Sequence, residues 1–389
     1  DKGTFEKLYL HTDRDYYFLG DTIWFKAYYL NGQTQRFFQG DANMHAELVD
    51  KSGNKIQDLL VHLKDGRAPG SMPIPDNLEP GQYLLRAYTP DQKGLGEDHF
   101  FHKTLEVSKV RSTLDKEEHR AISEADTEID LAFLPEGGFL LEGRMNTAGI
   151  KTIDKLGRSI AVNGEILDKN GKVVSTFETS YKGMDTVRLL PLPGEDYQIR
   201  LNGYPAFHQK VNGIRQKGIK VEFSGASEDH LQFQEASNSQ SNLGNTFLFA
   251  IMHRGYVIFL QEFTMNVPEF PTRISSLALP AGINRLVLLD EKLIPVSERL
   301  YFSLNMHINE IRIDPDQENY STRSPVTLQL SEMEELGSMA WSNLSLSVVA
   351  SNAVHERRKA MDMRSWLLID SELKGFIESP PEYFMDGVE

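Results

Sequence analysis

Thr22-Ile23-Trp24-Phe25-Lys26-Ala27-Tyr28-Tyr29-Leu30 is a run of β-branched and aromatic residues whose character alternates along the chain. A period of two places successive side chains on opposite faces of an extended backbone, so the run predicts a half-buried strand. Turn chemistry surrounds it at short intervals: Asn31-Gly32, Asp50-Lys51-Ser52-Gly53, Lys64-Asp65-Gly66 and Glu79-Pro80-Gly81. At such positions the backbone enters positive φ or starts a tight turn cheaply. Short strands punctuated this way predict an antiparallel sandwich. Tyr16, Trp24, Tyr83 and Tyr197 stand at strand phase and are assigned to cores.

The pattern is then repeated. Glu47-Leu48-Val49-Asp50-Lys51-Ser52-Gly53 returns as Glu165-Ile166-Leu167-Asp168-Lys169-Asn170-Gly171, each a strand entering a hairpin. Leu78-Glu79-Pro80-Gly81-Gln82-Tyr83 returns as Leu192-Pro193-Gly194-Glu195-Asp196-Tyr197, and Leu279-Pro280-Ala281-Gly282-Ile283-Asn284 is a looser third copy. The opening Asp15-Tyr16-Tyr17-Phe18-Leu19-Gly20-Asp21-Thr22 has a distant echo in Asn319-Tyr320-Ser321-Thr322-Arg323-Ser324-Pro325-Val326. Internal self-similarity of this kind marks a tandem of like units.

A chain of 389 residues exceeds one core, since domains run to about 100–150 residues. The phases of the repeats place the units at residues 1–112, 113–216, 217–304 and 305–389, with a polar, acidic linker over 115–128 and the fourth unit incomplete. Met361, Trp366, Leu367, Leu368, Ile369, Leu373 and Ile377 mix with charges at helical spacing ahead of Pro380-Pro381, which predicts a short helical segment near the C-terminus. The chain ends without a closing turn and strand and reads as a fragment of a longer protein.

Composition excludes several functions. With 56 acidic against 41 basic side chains and a formal charge of −15, the field repels a nucleic-acid backbone or an anionic leaflet. The absence of cysteine excludes disulfides, thiolate metal sites, cysteine nucleophiles and an internal thioester. No run of about 18 apolar residues argues for membrane insertion by this segment.

Lys7-Leu8-Tyr9-Leu10-His11-Thr12-Asp13-Arg14-Asp15-Tyr16-Tyr17, Gly20-Asp21-Thr22-Ile23-Trp24-Phe25-Lys26 and Phe133-Leu134-Pro135-Glu136-Gly137-Gly138 resemble the macroglobulin domains of large exported Bacteroidetes envelope proteins. So do Val296-Ser297-Glu298-Arg299-Leu300-Tyr301-Phe302, Asn343-Leu344-Ser345-Leu346-Ser347-Val348 and the stretch from Leu367 to Gly375. The resemblance implies an all-β fold of tandem immunoglobulin-like, macroglobulin-like antiparallel sandwiches. It also implies a signal-bearing protein of the periplasm, outer membrane or cell surface that often continues into a domain resembling the plug of TonB-dependent receptors. The function expected is a non-catalytic structural or binding segment whose partner is an envelope protein or glycan. Accessory β-domains of a larger envelope hydrolase, or a protease-inhibitor-like macroglobulin without a thioester, remain as alternatives.

No side-chain pattern in the chain matches a catalytic or metal-binding signature. The 11 histidines are scattered without an H-E-x-x-H spacing. His99 and His102 lie close together without a third ligand, and His11 is assigned to bonding a turn. Asp314, Asp316 and Asn319 resemble half of a calcium loop but lack its glycine and distal glutamate, so they read as a solvated linker. Gly70-Ser71-Met72 lacks the strand-to-helix context of a nucleophile elbow. Glu136 beside Gly137-Gly138 is the most tempting acid, and reads as a turn-capping residue. No cofactor or metal is expected. Arg36, Phe37 and Phe38, in a polar loop, are the candidate binding residues; the alternative for the two rings is packing against a neighbouring domain.

Overall fold

The structure, a computed structural model, describes residues 5–109, 128–155, 157–227, 229–306, 310–333, 343–349, 361–375 and 377–384. The alternating run becomes the strand Thr22–Asn31, paired antiparallel with Glu6–Thr12 on one side and Arg67–Pro73 on the other. Ile23, Phe25 and Ala27 point into the core. Trp24, one residue out of phase with them, points the other way and is 60% exposed, which corrects its assignment to a core. Tyr16, Tyr83 and Tyr197 are buried as the alternation predicts. Tyr28 shares the phase of Trp24 yet is buried, because the Phe37 ring stacks on it with centroids 6.2 Å apart.

The strands of the first unit run in the order Glu6–Thr12, Thr22–Asn31, Arg67–Pro73, Lys55–Lys64, Asp41–Val49, Gly81–Tyr88, Phe101–Ser108, Tyr16–Phe18. Only the pair Lys64 and Arg67 joins its halves. The sheet therefore folds over at the Asp65-Gly66 turn, where both residues take positive φ, and encloses Leu10, Ile23, Met44, Leu48, Leu85 and Phe101.

The second and third units share a pattern of one three-stranded and one four-stranded sheet. In the second, Met184–Leu189, Asn146–Asp154 and Ile129–Pro135 face Val173–Glu178, Asn163–Asp168, Tyr197–Leu201 and Tyr204–Lys210 across Ile150, Ile166 and Ile199. In the third, Ile219–Ala226, His230–Ser237 and Glu269–Ser275 face Tyr256–Thr264, Thr246–His253, Gly282–Leu289 and Pro295–Ser303 across Val221, Phe233, Phe249 and Leu286. The fold is thus a tandem of antiparallel sandwiches. Within 305–389 the described residues form the antiparallel pair Glu310–Pro315 and Leu328–Met333, an extended stretch over 343–349 and short helical segments. The linker expected over 115–128 lies outside the described residues apart from Glu128.

The repeated hairpin has one physical mechanism. Asp50 Oδ1 accepts from the backbone of Ser52 and Asn54, both at 2.8 Å, and Asp168 Oδ1 does the same for Asn170 and Lys172, both at 2.9 Å. Gly53 and Gly171 close these turns at φ 81° and 78°. A further copy, which the sequence hides, is Asp290 with Lys292 and Ile294, both at 2.9 Å, where Leu293 takes φ 61° in place of glycine. The turn-and-strand repeat is equally explicit. Tyr83 donates from its hydroxyl to the Glu79 carbonyl at 2.6 Å, and the Tyr197 hydroxyl accepts from the Leu192 N–H at 2.9 Å. In the third unit Asn284 takes over, donating to the Pro280 carbonyl at 2.9 Å.

Candidate functional site

The loop carrying Arg36, Phe37 and Phe38 is fastened to the first sandwich. The Arg36 carbonyl accepts from the Asn31 N–H at 2.9 Å while its side chain is exposed. Phe37 lies between Tyr28 and the Arg67 guanidinium, whose carbon is 4.2 Å from the ring centroid, and Phe38 stacks on Tyr29 at 4.3 Å. Both rings are half-buried and pack against the first core. Of the three, Arg36 presents the freest side chain.

Charged chemistry gathers instead where the units meet. The Pro135-Glu136-Gly137-Gly138 turn of the second sandwich inserts into the third. Glu136 accepts from the Phe223 N–H at 2.6 Å and pairs with Arg299 at 2.6 Å; burial lowers the Arg299 pKa, and the Glu136 carboxylate opposes that. The Gly137 carbonyl accepts from the Ser297 hydroxyl at 3.0 Å. Gly137 sits at φ 74°, and a Cβ there would meet the Val221 carbonyl oxygen at 2.9 Å, so only glycine permits this approach. Beside it Lys220, fully buried, donates to Asn146 at 2.7 Å and pairs with Glu222 at 2.7 Å. Glu136 is therefore a coupling residue between sandwiches, correcting its reading as a turn cap.

A second junction is built by the end of the chain. Asp362 caps a single helical turn, Met363–Ser365, accepting from the Ser365 N–H at 2.7 Å, and the turn widens into a π-helical one over Trp366–Asp370. Trp366 is 3% exposed and belongs to the first core. Its indole donates to the Leu8 carbonyl at 2.7 Å and its ring meets Phe101 edge-to-face at 5.2 Å. Glu372 pairs with Lys7 of the first sandwich and, at 3.2 Å, with Arg254 of the third. Burial pulls the Lys7 ammonium down to about 8 against the opposing pull of Glu372. Further on, Lys182 of the second sandwich pairs with Glu382 at 3.0 Å and lies 4.3 Å over the Tyr383 ring, while Phe384 meets Phe302 of the third at 5.6 Å. One segment thus touches all three sandwiches.

Between the second and third sandwiches and this segment lies an open, mostly apolar cavity of about 1320 Å³, walled by Ile150, Tyr181, Leu277 and Phe302 on the sandwiches and by Leu373 and Ile377 on the segment. Lys151 stands at its edge, its ammonium donating to Ser159 at 2.7 Å, with burial lowering its pKa.

The remaining sequence candidates serve packing. His11 bonds the Ser345 hydroxyl at 2.5 Å, a residue of the distant stretch 343–349, instead of the turn expected. His102 packs edge-on against Trp366 at 5.6 Å, and His99 against Phe5 at 6.2 Å. Asp316 organises its loop by accepting from the Tyr320 hydroxyl at 2.5 Å and the Thr327 N–H at 3.0 Å. Ser71 lies within the strand Arg67–Pro73. Among the described residues no group of three or more acidic or histidine side chains is placed to hold a metal, and no helix is long and apolar enough to cross a membrane. Lys7, Arg254 and Glu372 escaped the sequence reading; the one available signal was a charge embedded in apolar strand context at Lys7.

The MG2 domain family matches residues 7–101, the first sandwich without its last strand. Among solved structures, native alpha-2-macroglobulin from E. coli is similar at 10% identity over 85% of this chain and 25% of its own, with a TM-score of 0.24. Dimeric latent PorU from Porphyromonas gingivalis is similar at 10% identity over 77% and 34%, with a TM-score of 0.29. The BSP domain of a biofilm associated protein is similar at 10% identity over 79% and 68%, with a TM-score of 0.26. The chain spans about a quarter of the length of the E. coli protein. No curated protein matches.

Proposed function

We propose that this chain is a non-catalytic structural and binding segment of an exported bacterial envelope protein, holding macroglobulin-type sandwiches in a set relative arrangement while their loops engage an envelope protein or glycan at the outer membrane. The observation that carries the reading is the coupling of the second and third sandwiches through Glu136, Gly137 and Lys220. Buried, hydrogen-bonded charge at a joint is directional in a way apolar contact is not, so such a joint fixes an angle. The MG2 match over residues 7–101 supports the same class of accessory β-domain. We place the working boundaries at 1–112, 113–216 and 217–304, with 305–389 as a fourth unit, and Arg36 as the exposed member of the candidate contact loop.

The test uses the chain's lack of native cysteine. Spin labels on cysteines introduced at Asn170 and Lys292 should give one narrow distance distribution, broadened by Glu136→Ala. The folded chain should also retain an envelope protein or glycan from a fractionated bacterial envelope, and Arg36→Ala should weaken that retention. A broad distribution in the unmodified joint, or no retention by the folded chain, overturns the reading.

A further inference from the structure

From the contacts of residues 361–375 and 377–384, we infer that the C-terminal segment is a releasable clasp: docked, it ties the first sandwich to the second and third and walls the cavity between those two; released, it frees the first sandwich and opens that cavity.

Its attachment is concentrated in a few anchors. Trp366 fills a slot in the first core, Glu372 bridges Lys7 and Arg254, and Lys182 gathers the carbonyls of Glu378 and Ser379 at 3.1 and 3.2 Å together with Glu382. The segment has only one short helical stretch, Met363–Asp370, and a single 3-10 turn, Pro380–Phe384, well under the ~12–15 residues an isolated helix needs, so little internal structure holds it in place by itself. Docking also strands polar groups. Asp370 Oδ2 and Ser371 Oγ are buried and form no hydrogen bond within the protein. Both regain water on release, and the Lys7, Arg254 and Glu372 charges are rehydrated with them, which offsets much of the gain from burying Trp366. A strong apolar anchor opposed by unpaired buried polarity is what a docked state favoured by only a few kcal/mol requires, and at that margin the released state is a minor population.

Release has a defined consequence. Ile369, Leu373 and Ile377 leave the cavity, and its wall, with Leu231 and Ile283 of the third sandwich, opens to water. The Glu136 joint is untouched by this, because none of its hydrogen-bond partners lies on the segment.

The test uses spin labels on the full chain, one on a cysteine at Lys374 of the clasp and the other at Ser52 in the first sandwich or Asn170 in the second, all exposed. The unmodified chain should show one dominant, narrow distance. Glu372→Gln, which removes the charge shared by Lys7 and Arg254, should move at least about a tenth of the molecules to longer distances, with circular dichroism unchanged and binding of a hydrophobic dye increased. Trp366→Ala should move more; should it unfold the first sandwich, Glu372→Gln alone still decides the matter. A single narrow distribution in the folded Glu372→Gln chain would make the segment a permanent part of the fold and overturn the inference. So would an unmodified chain with no docked population.

Discussion

The joint between the second and third sandwiches and the clasp on the first solve the same problem with opposite materials. The joint is made by a motif inside the second unit whose charges are paired: Glu136 with Arg299 and a backbone N–H, Lys220 with Asn146 and Glu222, although Arg299 Nη1 meets Glu136 as an ion pair without hydrogen-bond geometry. The clasp brings residues 366 and 372 back to residues 7 and 8, anchors them with one tryptophan, and leaves Asp370 Oδ2 and Ser371 Oγ without partners. The joint pairs residues 74 to 160 positions apart and the clasp residues about 360 apart, a difference of only about 1 kcal/mol in loop-closure entropy, so the two differ chiefly in the polar groups they leave buried. The first is built to hold an angle, the second to hold or let go.

Substitutions should separate the two. The largest loss is expected from Trp366→Ala, which deletes the buried aromatic anchor; because the clasp can release, the loss is capped at the docking free energy, a few kcal/mol, and is read as a lowered denaturation midpoint of the first sandwich. Glu136→Ala should cost about 2–4 kcal/mol by stranding Arg299 and the Phe223 N–H, and its signature is uncoupled melting of the second and third sandwiches in calorimetry. Conversely, melting that stays coupled in Glu136→Ala would remove that residue from the joint.

Acidity should move the clasp and leave the joint still. Burial, aided by the Asp362 carboxylate, raises the Asp370 carboxyl to about 7 from an ordinary 3.8. The docked state therefore keeps a proton that the released state gives up. For this carboxyl docking is fully favoured below about pH 4 and weakens as pH rises to about 7, a change on the order of 4 kcal/mol, and is level from there to about pH 8, where the Lys7 ammonium begins to titrate. The docked fraction measured with the spin-label pair should be higher at pH 5 than at pH 8, and Asp370→Asn should flatten the difference.

The smallest effect sharpens the comparison of repeats. Leu293 occupies the left-handed position that Gly53 and Gly171 fill in the sister turns, and it is 65% exposed, so it gives up little burial. Leu293→Gly should stabilise the third sandwich by about 0.5–1 kcal/mol, and Gly53→Ala should destabilise the first by about 1 kcal/mol, both read from thermal melts.

The repeats were legible because local chemistry encodes them. An aspartate that caps two backbone N–H groups and a glycine at positive φ form the same turn wherever they occur, and the alternation around Ile23 and Phe25 announces a strand without reference to its neighbours. The Asp290 turn is hidden in the sequence because a leucine stands where its sisters have glycine. Trp24 was misplaced because period two says which residues share a face and not which face is covered. Phe37 and Phe38 stood out as rings in a polar loop, and only the neighbouring Tyr28, Tyr29 and Arg67 reveal what they pack against.

By itself the amino-acid sequence determined an acidic, cysteine-free, all-β tandem with recurring hairpins, since these follow from composition and from interactions within a few residues. Tertiary structure alone decided that Glu136 couples two sandwiches, that Trp366 completes the core of the first, and that Lys7, Arg254 and Glu372 meet. Those are pairings between residues far apart along the chain. Their energies depend on burial and on which charge answers which, quantities that exist only once the sandwiches have packed.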